Sequence, residues 1–107
     1  MKVADYSELR VYGLAFESAM QIVELSRTWP SDGKFSLTGQ IRRSSRSVHT
    51  NLAEAWRKRR YEAAFVSKLS DSDAEAAETG VHLDFALRCG YLNAENHAKL
   101  MVRPPRS

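Results

Sequence analysis

Cysteine, proline and glycine are scarce here: one, three and five residues respectively in a chain of 107. The lone Cys89 has no partner within the chain and no CxxC neighbour, which excludes a disulfide scaffold and points to a reducing, cytoplasmic setting. No run approaches the ~18 consecutive apolar residues that span a bilayer, so no membrane contact is expected. The first ten residues, MKVADYSELR, carry charges throughout and lack the apolar stretch of a secretory signal. The GxGxxG, GxxxxGKS/T and GxSxG patterns are missing, and His49, His82 and His97 show neither HExxH nor any paired spacing. Each histidine reads as a surface or satisfied side chain, and Cys89 as a helix-end packing residue. On these absences the protein is expected to be no enzyme and to need no cofactor or metal.

What remains is a composition of 43% hydrophobic and 27% charged residues, which excludes disorder and suits one domain over residues 1–107. With so few helix breakers, and with two of the prolines (Pro104, Pro105) in the tail, the pattern is helical throughout. Between Asp5 and Trp29, Leu9, Tyr12, Phe16, Ala19 and Val23 form one apolar row. Val11, Ala15, Ser18, Ile22, Leu25 and Trp29 form a second row beside it. Two rows are more than one bundle face needs, so this helix is expected to meet another subunit as well.

After the breakers Pro30, Asp32 and Gly33, a second helix should start near Ser36 and run to about Lys58, capped by Ser36 or Thr38. Its core stripe is Leu37, Ile41, Val48, Leu52 and Ala55, and the small Ser44 and Ser45 allow close approach. A third, long helix from about Tyr61 to Arg88 carries Phe65, Leu69, Ser72, Ala76, Thr79, Leu83 and Leu87 at three-four spacing. Gly90 suits its end, and Asn93 suits the cap of a short last helix before RPPRS. Long helices with short connections predict an all-α, up-down antiparallel four-helix bundle with a short last helix.

The net charge of +3 hides an asymmetry. Residues 34–60 hold eight basic residues (Lys34, Arg42, Arg43, Arg46, Arg57, Lys58, Arg59, Arg60) against one acid, Glu54. At about 100° per residue, Arg42, Arg43, Arg46 and Arg57 fall on one side of the second helix, and Lys58, Arg59 and Arg60 extend it. Such a face suits phosphate tracking. The alternative is pairing within the chain, because the third helix holds six acids from Glu62 to Asp84 and one base, Lys68. Gln40, Ser47, Asn51 and Glu54 make a polar row placed roughly opposite the arginines. It reads as a hydrogen-bonded layer fixing register or a subunit contact rather than a ligand pocket.

The run LTGQIRRSSRSVHTNLAE, Leu37–Glu54, resembles the signature helix of the four-helix bundle proteins encoded in intervening sequences of 23S rRNA genes. Gln40, Ile41, Arg42, Arg43, Ser44, Ser45, Ser47, Val48, Asn51, Leu52, Ala53 and Glu54 carry the likeness, with Glu75, Glu78, Gly90-Tyr91-Leu92 and Trp29-Pro30 outside that run. Departures are Ala55 in place of a frequent Gly, Gly80 and His82 in place of larger polar and aromatic residues, and the short last helix. The resemblance implies bundles assembled into rings, commonly pentamers. It also implies kinship with the accessory proteins of diversity-generating retroelements, where a basic surface engages nucleic acid and a reverse transcriptase. Two readings follow: a non-enzymatic homo-oligomer binding RNA or DNA through Arg42, Arg43, Arg46, Arg57, Lys58, Arg59 and Arg60, or a scaffold whose basic face meets an acidic protein partner.

Overall fold

The structure is a computed structural model describing residues 6–32 and 36–101, with side chains from residue 10 onward. The expectations placed on Lys34, on the side chain of Leu9 and on the RPPRS stretch lie outside the described residues. Four α-helices follow in order: α1 (Tyr6–Leu25), α2 (Leu37–Arg57), α3 (Glu62–Arg88) and α4 (Ala94–Met101), with a 3-10 turn at Ser26–Thr28 after α1. Among the described residues there is no strand, and no helix is long and apolar enough to cross a membrane. The fold is all-α, as the periodicity predicts.

The helix ends follow local chemistry. Ser36 caps α2 by accepting from the Gly39 N–H at 3.1 Å, and Asn93 caps α4 by accepting from the Asn96 N–H at 2.7 Å. At the end of α3, Gly90 adopts a φ of 79°, the left-handed conformation in which a Cβ is strained. The Tyr91 N–H then reaches the Ala86 carbonyl at 2.9 Å and the Gly90 N–H reaches Leu87 at 3.1 Å, closing the helix.

Cross-helix contacts fix the directions. Arg43 meets Glu75, Ser44 meets Thr79 and Val48 meets Ser72, so α2 and α3 run antiparallel. Ser26 meets Arg42 while Tyr12 and Phe16 meet His49, so α1 runs antiparallel to α2. The main core lies at one end, where Ile22, Trp29, Ile41, Leu83, Ala86 and Leu92 pack with Leu25, Leu37, Leu100 and Met101. A smaller cluster, Ala55 with Phe65, lies toward the α2–α3 turn.

Between these clusters the helices meet through small polar side chains. Ser44, Ser45, Ser72 and Thr79 are all buried. Ser72 Oγ donates to the Val48 carbonyl at 2.9 Å, and Thr79 Oγ1 lies 2.8 Å from Ser44 Oγ. Small residues let the two backbones approach, and their hydroxyls satisfy each other where water is excluded.

Several single-residue expectations change. Leu69 and Ala76 are exposed, because the buried line of α3 runs through Phe65, Ser72, Thr79 and Ala86 at seven-residue spacing and the positions four residues along from it turn to the outer edge of that face. Cys89 is exposed rather than packed, since the chain leaves the helix at that residue. His82 is buried, and the Nε2 atoms of both His82 and His49 are buried without a hydrogen-bond partner. His49 instead lies against the rings of Tyr12 at 4.1 Å and Phe16 at 5.3 Å. His97 Nε2 lies 2.8 Å from Asp84 Oδ1 and ties α4 to α3, while His82 Nε2 comes within 3.6 Å of Glu78 Oε1.

Candidate nucleic-acid interface

The basic residues of the second helix divide by the neighbour each one meets. Arg42 and Arg43 are adjacent in sequence, so their side chains leave the helix about 100° apart. Arg42 turns toward α1, where its Nε donates to Ser26 Oγ at 2.8 Å and its side chain is half-buried. Arg43 turns toward α3. Its Nη1 donates to Glu75 at 3.0 Å and its Nη2 to Glu78 at 2.6 Å, a fork closed on two carboxylates.

This fork perturbs both sides. The Arg43 guanidinium, with the Ser47 hydroxyl helping, lowers the Glu75 carboxyl from 4.5 to about 2. The same hydrogen bonds to Glu75 and Glu78 raise the Arg43 guanidinium further above its ordinary range. Ser47 therefore sits beside Arg43 on a common acid, and the polar row lies next to Arg43 instead of opposite it. Asn51 Nδ2 donates back to the Ser47 carbonyl at 3.0 Å and to its Oγ at 3.2 Å, and Gln40 is half-buried at the head of the row. Glu54 closes the row on the basic side: Arg57 Nη2 donates to it at 3.1 Å and holds its carboxyl below the usual range.

Apart from Arg46, midway along α2, the remaining cations gather where α2 turns into α3. Lys58 caps α2, its N–H donating to the carbonyls of Glu54 at 3.0 Å and Ala55 at 3.1 Å. Arg59 lies over the Trp56 ring, its guanidinium carbon 4.6 Å from the ring centroid, while Nη1 donates to the Trp56 carbonyl at 3.0 Å. Arg46 and Arg60 are exposed, and Arg46, Lys58 and Arg60 form no ion pair with any described residue. Tyr61 follows at once as the N-cap of α3, makes no capping bond with its side chain, and is 71% exposed. Sequence reasoning passed over this ring. Its signal was positional, an aromatic residue directly behind four cations at a site where a small polar cap is usual.

Among the described residues, no group of three or more His, Cys, Asp or Glu side chains is placed to hold a metal ion. The chemistry on offer at this end of the molecule is cationic and aromatic.

Comparison with known proteins agrees with this architecture. A crystal structure from Bacteroides thetaiotaomicron, described as a protein with unknown function from the S23 ribosomal protein family, superposes with a TM-score of 0.75 at 28% identity. The match covers 87% of this chain and 83% of that one. No curated protein matches the chain. The family model described as 23S rRNA-intervening sequence protein matches residues 7–103, and that span, together with the shared bundle, establishes that the chain belongs to the 23S rRNA-intervening sequence protein family.

Proposed function

We propose that this protein is a non-enzymatic, homo-oligomeric bundle that binds RNA or other nucleic acid through cations at the α2–α3 turn. The observation that carries the reading is the pair of turn cations left without an acidic partner among the described residues, Lys58 and Arg60, with Arg57 and Arg59 beside them and Arg46 further back along α2. Arginine suits phosphate because its planar fork donates paired hydrogen bonds and its charge persists at physiological pH. Arg42 and Arg43 are engaged by Ser26, Glu75 and Glu78, so their guanidinium groups are taken up by contacts within the chain.

Assembly belongs to the same proposal. α1 packs chiefly on α2, which leaves Tyr12, Leu14, Phe16 and Met20 exposed, the last at 50%. Apolar side chains in that number along one short helix call for a cover, and a second copy of the chain is the cover favoured here, with a pentameric ring favoured by the resemblance. A ring would repeat the basic turn, so a weak single site gains avidity. Light scattering should give an oligomer at micromolar concentration; a monodisperse monomer would contradict it.

The binding test is fluorescence anisotropy with labelled RNA and DNA at about 50 mM salt, followed by a salt titration. Affinity should fall steeply with salt and should be competed by unrelated nucleic acids. Val66, Val81 and Phe85 are also exposed on α3, and they favour a second reading, a scaffold for a protein partner. Protein without affinity for any RNA or DNA at low salt would leave only that second reading.

A further inference from the structure

We infer that the basic turn takes single strands in preference to duplexes, with a base stacked on Tyr61; this rests on the nucleic-acid reading above and names its substrate class. Tyr61 is the most exposed of the large hydrophobic side chains described, at 71%. Its place does not explain it. It occupies a helix N-cap, where Ser, Thr, Asp or Asn would satisfy an orphan N–H, yet it makes no such bond. It belongs to neither core cluster.

Its surroundings are those of a stacking platform. The Tyr61 N–H donates to the Lys58 carbonyl at 2.9 Å, which folds the ring's residue back onto the cationic turn. Arg59 is held over Trp56 by the ring and by the Trp56 carbonyl together, so its guanidinium is anchored at the turn. Arg57, between this pair in sequence, and Arg60, directly after it, are both exposed.

An exposed ring flanked by cations discriminates strand state by geometry. In a duplex the base faces are covered by their neighbours, and a turn between two rigid helices reaches only phosphates. In a single strand a base can swing out and lie on the ring while adjacent phosphates meet Arg57, Lys58 and Arg60. The contact is tolerant of sequence, because every base has a face to stack.

The test compares a single strand of about twelve adenylates with the same strand annealed to its complement, by anisotropy, for the wild type, Tyr61→Ala and Tyr61→Phe. The wild type should bind the single strand at least about tenfold more tightly. Tyr61→Ala should lose about tenfold on the single strand and little on the duplex, and Tyr61→Phe should retain binding, since stacking needs the ring and not the hydroxyl. Melting and oligomeric state of Tyr61→Ala should match the wild type, as removing an exposed ring opens no cavity. Unchanged single-strand affinity in Tyr61→Ala, or equal losses on both forms, would overturn the inference while the nucleic-acid reading stands. A changed oligomeric state would show that a second copy covers Tyr61 and would also overturn it. A wild type that binds neither form would instead overturn the nucleic-acid reading itself.

Discussion

The seam around Arg43 and the turn at Lys58–Arg60 are equally basic in sequence, but opposite residues give them different roles. Across from Arg43, α3 presents Glu75 and Glu78, and the fork closes on both. Beyond Arg57 the helix ends, α3 has only just begun, and Lys58 and Arg60 meet no described carboxylate within ion-pair distance. Positive charge that faces the partner helix, as at Arg43, is thus taken up by it, whereas charge at the hairpin's tip or on the outer side of α2, as at Arg46, stays available. For a helical hairpin, the tip is the place to look for an electrostatic partner.

The comparison breaks most visibly at Arg43. Arg43→Glu would set a third carboxylate against Glu75 and Glu78, and thermal or urea unfolding should show a loss of about 1–3 kcal/mol at neutral pH. The loss should shrink in acid, where the carboxylates protonate. The folded variant should still bind nucleic acid as the wild type does, since the Arg43 guanidinium is taken up by contacts within the chain.

Acid should reach the seam in the wild type as well. The folded-state pKa of Glu75 is depressed to about 2 from 4.5, so its contribution is present above the ordinary glutamate range and is lost as pH falls through the depressed value. Because Arg43 is half-exposed, about 1–2 kcal/mol is expected across that window, read as a falling unfolding midpoint. Glu75→Gln should flatten this pH dependence.

A smaller effect belongs to Arg42. Its hydrogen bond to Ser26 joins α2 to the turn after α1, and Arg42→Ala should remove about 1 kcal/mol without touching nucleic-acid affinity. At the tip, Arg60→Ala should leave the melting temperature unchanged, because its exposed side chain makes no ion pair with any described residue.

How much of this was legible in the sequence depends on range. Helix spans, the caps at Ser36 and Asn93 and the stop at Gly90 are local events, and local residue chemistry announces them. The divergence of Arg42 from Arg43 was not legible, because adjacent helical residues point about 100° apart and their fates depend on where α1 and α3 lie. The same dependence hid the burial of His82, which rests on the side α3 turns inward. The three-four pattern along α3 is wider than the face α2 covers, so it takes in Leu69 and Ala76, which stay exposed beside the buried Phe65, Ser72, Thr79 and Ala86. Tyr61 escaped notice because its residue type is ordinary and only its exposure is not.

The central claim is that the tip, and not the seam, meets phosphate. Its most direct test is the salt dependence of binding to a single-stranded RNA, measured for the wild type, for Arg43→Ala and for the combined Lys58→Ala and Arg60→Ala variant. Each phosphate neutralised contributes about −0.7 to the slope of log affinity against log salt on a single strand. The combined tip variant should lose about 1.4 from the magnitude of that slope, while Arg43→Ala should keep the wild-type slope. A tip variant with the wild-type slope, alongside an Arg43→Ala protein that remains folded but loses slope, would contradict the account.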